Sequence, residues 1–180
     1  METTAVIAII IAVIALAGAV WAVMQTQRTK HLRAKFGPEY DYTLDRQGDR
    51  RKAEAELLHR EEKVKKLYIR DLTREEREQF TNAWRQEQAM FVEDPRRAVE
   101  SADALVSRVM MTRGYPTADY ETQLAYASVD HSRVIGDYRE AHRIAERSRN
   151  GHVSTEDLRR AMISYRSLFE ALVGAPVLTH

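Results

Sequence analysis

Three observations predict an all-α chain with one membrane helix: a long apolar run near the start, apolar residues at helical spacing through the rest, and no strand-like alternation anywhere. The expected architecture is an N-terminal transmembrane helix, then a long charged helix, then a compact bundle of about four to five helices.

The apolar run extends from Ala5 to Met24 (AVIAIIIAVIALAGAVWAVM) and carries no charged side chain. At ~1.5 Å rise per residue such a helix is about 30 Å long, the thickness of a bilayer's hydrocarbon core. Its Ile, Val and Leu residues together favour insertion by about 3–6 kcal/mol. A cleaved secretory signal would need a basic start and a shorter apolar stretch ending in a small-x-small site. Ala17-Gly18-Ala19 imitates that site, but Val20, Trp21, Ala22 and Val23 carry the run past it, so an anchor is expected.

Residues 1–4 hold no Lys or Arg, whereas Arg28, Lys30, Arg33 and Lys35 follow the run with no acid before Glu39. Positive flanks stay on the cytoplasmic side, so the N-terminus is expected outside and the C-terminal domain in the cytoplasm, at a bacterial cell membrane. The four cations are then candidate contacts to anionic lipid. The absence of cysteine agrees with a reducing compartment. The expected layout is a short external N-terminus (1–4), the transmembrane helix (5–24), a basic juxtamembrane segment (25–39), a charged amphipathic helix (40–70), a helical bundle (71–174) and a tail (175–180).

Charge follows that division. Residues 28–70 carry thirteen Lys or Arg against eight Asp or Glu, and residues 71–180 carry fifteen against eighteen. Phe36-Gly37-Pro38-Glu39 breaks the chain, and a charged helix is expected from about Tyr40 to Leu67. Its narrow apolar stripe is Ala53, Leu57, Val64 and Leu67, interrupted by Arg60, and Gly48 is a place to kink or split it.

Thr73-Arg74-Glu75-Glu76 matches a capping box, after which Phe80, Trp84, Gln88 and Phe91 share a face. Asp94-Pro95 reads as an N-cap with proline at the first helical position. Val99, Ala102, Leu105, Val106, Val109 and Met110 then line a third helix, closed by Arg113-Gly114. Tyr115-Pro116 turns the chain into a short helix from Asp119 to Ala127. A fifth helix starts near Ser128 or Asp130, with Val134, Ile135, Tyr138, Ala141 and Ala145 inward, and ends at Asn150-Gly151. Ser154 or Thr155 caps the last, whose Leu158, Met162, Tyr165, Phe169 and Leu172 share a face up to Gly174.

Several segments together have a familiar wording: FGPEYD; W-x6-FVEDP-x2-AV-x2-ADALV-x2-VM-x2-RGYP; SVDH; AHRIAE; and STEDLRRAMISYRSLFEALV. They resemble an uncharacterised family of bacterial single-pass membrane, or "secreted" hypothetical, proteins. The resemblance covers nearly the whole chain and implies a helical fold and a bacterial origin. It brings no activity, cofactor or catalytic residue.

Four signals bear on function. Ala5, Ala8, Ala12, Ala15, Ala19 and Ala22 recur at the 3.5-residue period that lets two helices approach closely in lipid, so a homodimer through the span is expected. His131 and His142 share a helix face, but three turns put them about 16 Å apart, too far to hold one metal ion. Arg139, Arg143 and Arg147, with Arg149, Arg159 and Arg160 nearby, form a basic stripe broken by Glu140 and Glu146. A solvated, salt-bridged face suits that pattern better than nucleic acid does. The turn Gly114-Tyr115-Pro116 offers Tyr115 as an exposed recognition residue.

No phosphate loop, nucleophile elbow, zinc-protease motif or dinucleotide fingerprint occurs, so no catalytic, cofactor or metal residues are assigned. The leading expectation is a non-enzymatic adaptor that docks a protein partner beside membrane lipid. The alternatives are a ligand-binding or enzymatic bundle with a site assembled from distant residues, or an exported helical domain. A deep polar pocket with converging Asp, Glu, His or Tyr groups and perturbed acidities would favour the ligand-binding alternative; a shallow apolar groove would favour docking.

Overall fold

The computed structural model describes residues 2–116, 119–151 and 153–174; the side chains of 2–11 lie outside that description. Among the described residues there are seven helices and no strand: α1 (Glu2–Phe36), α2 (Pro38–Gln47), α3 (Arg50–Lys65), α4 (Arg74–Glu93), α5 (Pro95–Arg113), α6 (Tyr120–Arg149) and α7 (Thr155–Val173). The chain is all-α.

The helix ends follow local chemistry. Thr73 and Glu76 exchange hydrogen bonds across the first turn of α4, with Glu76 N donating to Thr73 Oγ1 at 3.2 Å and Thr73 N donating to Glu76 Oε2 at 2.9 Å. Asp94 closes α4 and caps α5, accepting from Arg97 N at 3.1 Å, with Pro95 at the first helical position. Asp119 and Ser154 cap α6 and α7 in the same way.

Two expected boundaries move. The single charged helix from Tyr40 to Leu67 is two helices, because Gly48 takes a left-handed conformation (φ 64°) and its N–H bonds Leu44 O, ending α2. Asp49 then caps α3 by accepting from Lys52 N at 2.9 Å. Conversely, the short helix ending at Ala127 and its successor are one helix, α6, bent at His131 (φ −123°, ψ 31°).

Two cores result. The larger is built from α4, α5, α6 and α7, where Trp84 stacks on Phe169 with centroids 4.9 Å apart and both rings are fully buried. The smaller joins Leu32 and Phe36 of α1 to Tyr40, Leu57, Val64 and Val129. Tyr126 and Ile69 touch both, so the first half of α6 is the seam. Arg113, at the end of α5, ties the incoming and outgoing chain together by donating to Arg70 O and Leu172 O, each at 3.1 Å.

α1 does not stop at the juxtamembrane segment. It continues unbroken to Phe36, and Leu32 and Phe36 are fully buried. Further up the same helix Val13, Ile14, Leu16, Val20, Trp21, Val23 and Met24 are each 51–67 % exposed. Among the described residues, no helix is long and apolar enough to cross a membrane. The expected span falls partly on residues 5–11, whose side chains lie outside the description; its described part, residues 12–24, is about 20 Å of helix.

Candidate functional site

Asp103 is a carboxylate on the buried face of α5, among Val99, Ala102 and Val106. An acid there is costly unless it is paired. Its partners come from α6: His142 Nδ1 lies 3.2 Å from both carboxylate oxygens, and Tyr138 Oη donates at 3.4 Å. Arg149 approaches to 4.0 Å. A carboxylate only accepts, so His142 Nδ1 carries a hydrogen and donates it to Asp103, which leaves Nε2 on the side of the ring away from that acid.

Nε2 is turned toward Glu146, 3.7 Å away and one helical turn on. The Tyr120 ring lies flat on the imidazole, with centroids 3.7 Å apart and planes 12° from parallel, fixing the ring's orientation. Tyr120, His142 and Glu146 line a cavity of about 530 Å³ together with Tyr42, Glu121, Arg139 and Arg143.

Three tyrosines gather beside the acid, and each has its pKa raised. Burial is the main cause at Tyr120, where Arg139 opposes it and Asp103, Glu121 and Glu146 add to it. Burial followed by the Asp103 charge does the same at Tyr138 and Tyr165. The hydroxyl of Tyr120 is buried with no hydrogen-bond partner among the described residues. The group is therefore an oriented imidazole and several un-ionised phenols set around one buried carboxylate. It can accept hydrogen bonds through the cavity-lining carboxylates Glu121 and Glu146. Among the described residues, no group of three or more His, Asp or Glu is placed to hold a metal ion.

A second, larger cavity of about 580 Å³ opens where α1 hands over to α2, against the bend in α6. His131, Ser132, Arg133 and Lys35 line it, with Ser132 Oγ donating to Lys35 O at 3.0 Å. Burial lowers the pKa of His131, helped by Arg113 and opposed by Asp130.

The residues singled out from sequence are distributed differently. Tyr115 is not an exposed recognition residue: it is 2 % exposed and donates to Asp130 Oδ2 at 3.1 Å. The turn is pulled inward because Gly114 (φ 99°) lies against the 66–73 connection, where a Cβ would meet Tyr68 O at 2.4 Å. Of the candidate lipid contacts, Lys35 pairs with Glu61 at 3.1 Å, Arg28 reaches Glu54 at 4.0 Å and Arg33 lies over the Tyr40 ring. Lys30 is exposed. The continuation of α1 into the smaller core turns Arg28 and Lys35 toward acids of α3 and Arg33 toward Tyr40 of α2. Ala12, Ala15, Ala19 and Ala22 are exposed along α1, and the side chain of Ala8 lies outside the description.

His131 and His142 serve different surroundings, one at the bend and one at the cavity. The basic stripe is largely paired: Arg139 with Glu39, Arg143 with Glu140, Arg159 and Arg160 with Glu156. Asp103 was not marked by sequence, although an acid on an otherwise apolar helix face is the signal that finds it. Compared with known proteins, the chain matches no family model, no curated protein and no solved structure.

Proposed function

We propose that this is a membrane-anchored helical domain that binds a small polar ligand in the Asp103–His142 cavity. The observation that carries the ligand reading is the imidazole held from behind by a buried carboxylate, with its Nε2 toward a cavity lined by Glu146, Glu121 and Tyr120. The cavity's size is within the range of small-molecule sites, about 300–1,000 Å³. A polar pocket of this kind favours ligand binding over the docking of a partner helix. In the test, a library of small polar compounds is screened by thermal shift on the full chain in detergent. At least one compound should raise the melting temperature of the wild type and leave His142→Asn unmoved. A library with no such compound defeats the reading.

The anchor is supported by the apolar side chains of α1 between Val13 and Met24, which no described part of the molecule covers. Leaving them in water costs roughly 5–10 kcal/mol relative to lipid. On this reading the protein is a single-pass protein of a bacterial cell membrane, with the basic residues around Arg28 and Lys30 on the cytoplasmic side. The small residues of α1 are the surface for a homodimer. Alkaline carbonate should leave the full chain in the membrane pellet and release a variant lacking residues 5–24. Release of both would remove the anchor, and an active alkaline phosphatase fused after His180 would reverse its orientation.

A further inference from the structure

We infer that the ligand of the Asp103–His142 cavity is a small organic cation, a primary ammonium or guanidinium compound; this rests on the ligand-binding reading above. The cations lining the cavity are already committed. Arg139 donates to both oxygens of Glu39, at 3.1 and 2.9 Å, and its guanidinium lies 3.7 Å from the Tyr42 ring centroid. Arg143 is bonded to Glu140 on its own helix. Arg46, whose charge reaches Glu121, has its head group bonded to Glu56.

What remains unspent is acceptors. Glu121 makes no ion pair within 4 Å among the described residues, and Glu146 meets no Arg or Lys within that distance, its neighbour being His142 Nε2 at 3.7 Å. Two carboxylates facing one cavity call for a ligand rich in donors and positive in charge.

The walls agree with that assignment. Tyr42 already carries one cation on its ring, and Tyr120 offers a second aromatic wall, the surroundings that suit ammonium and guanidinium groups. An inorganic anion in the same place would meet Glu121 and Glu146 with no free cation to offset them. The stacked Tyr120 ring and the Asp103 carboxylate hold the His142 ring in one orientation beside Glu146.

The experiment is calorimetric titration of the full chain in detergent micelles, with agmatine and putrescine as cationic probes and ATP and inorganic phosphate as anionic ones. Histidine side-chain NMR follows His142 in parallel. Agmatine should bind saturably and shift the His142 resonances, and Glu146→Gln and Glu121→Gln should each weaken it on the order of tenfold. Both glutamates are exposed, so these variants keep the fold. Saturable agmatine binding that ignores both substitutions overturns the proposal. Binding of ATP or phosphate alone, abolished by His142→Asn, overturns the cationic class and leaves the ligand site standing. Silence of His142 toward all four probes takes down the class and the site together.

Discussion

The two cores of this molecule are held by different physics. The α4–α7 core is apolar and aromatic, with Trp84 on Phe169 at its centre and two buried acids, Glu87 and Asp103, among the described residues. The α1–α3 seat has a handful of apolar side chains and a buried ionic network. Glu39, 2 % exposed, accepts from Arg60 at 2.9 Å and from Arg139 of α6, while Arg60 also reaches Glu56. Tyr40 donates to buried Glu54 at 3.0 Å, and Thr29 of α1 donates to the same carboxylate at 2.7 Å. Apolar burial is non-directional and tolerates sliding, whereas a satisfied ion network fixes one geometry at a large desolvation cost. The bundle supplies stability, and the seat sets the direction in which α1 leaves it.

The contrast can be broken most forcefully at Trp84. Trp84→Ala should cost about 3–5 kcal/mol in urea denaturation, because the ring is fully buried and the bundle can collapse only partly around the gap. Glu39→Gln should cost about 3 kcal/mol by leaving two buried guanidinium groups without their shared carboxylate. Hydrogen exchange should then show α2 and α3 opening while α4, α5 and α7 stay protected. Replacing Glu39, Arg60 and Arg139 together with Leu, Met and Met should recover most of the loss; no recovery would mean that the network itself carries the seat. Gly114→Ala should cost roughly 2 kcal/mol, since a side chain is strained at φ 99° and its Cβ would collide with Tyr68 O.

The smallest effects are in pH. Burial holds the folded pKa of His131 below its ordinary 6.5, so between those two values the unfolded chain binds more protons. Stability is complete above pH 6.5 and falls as pH drops through that window; His131→Asn should flatten the slope there. Glu76 behaves differently. The Arg70 hydrogen bonds, then the Thr73 N–H, lower its pKa from 4.5 to about 2. Its contribution is present above pH 4.5 and is lost as pH falls toward 2. Glu76→Gln should lower the melting temperature above pH 4.5 and converge on the wild type as pH falls toward 2 in a thermal-melt pH series.

Local rules made much of the helical fold legible. The Thr73 capping box, the Asp94-Pro95 junction and the glycine ends at Gly114 and Gly174 depend on three or four neighbouring residues, and these helices begin and end there. The positions that moved depend on distant neighbours. Tyr115 reads as exposed because Gly and Pro flank it, yet Asp130 and the 66–73 connection draw it inward. Arg28, Arg33 and Lys35 read as solvated cations, but the acids and the ring they meet lie on other helices. The pair Asp103 and His142 spans 39 positions and exists only once α5 and α6 are packed. The mark it leaves locally is an acid on an apolar face.

The unbroken course of α1 from Glu2 to Phe36 leaves no swivel between its exposed apolar stretch and the seat in which Leu32 and Phe36 are locked. Each residue inserted among Gln25, Thr26, Gln27 and Arg28 would therefore rotate the entire bundle by ~100° about the helix axis and shift it by ~1.5 Å. The azimuth at which the His142 cavity faces its surroundings is geared to the helix that carries it.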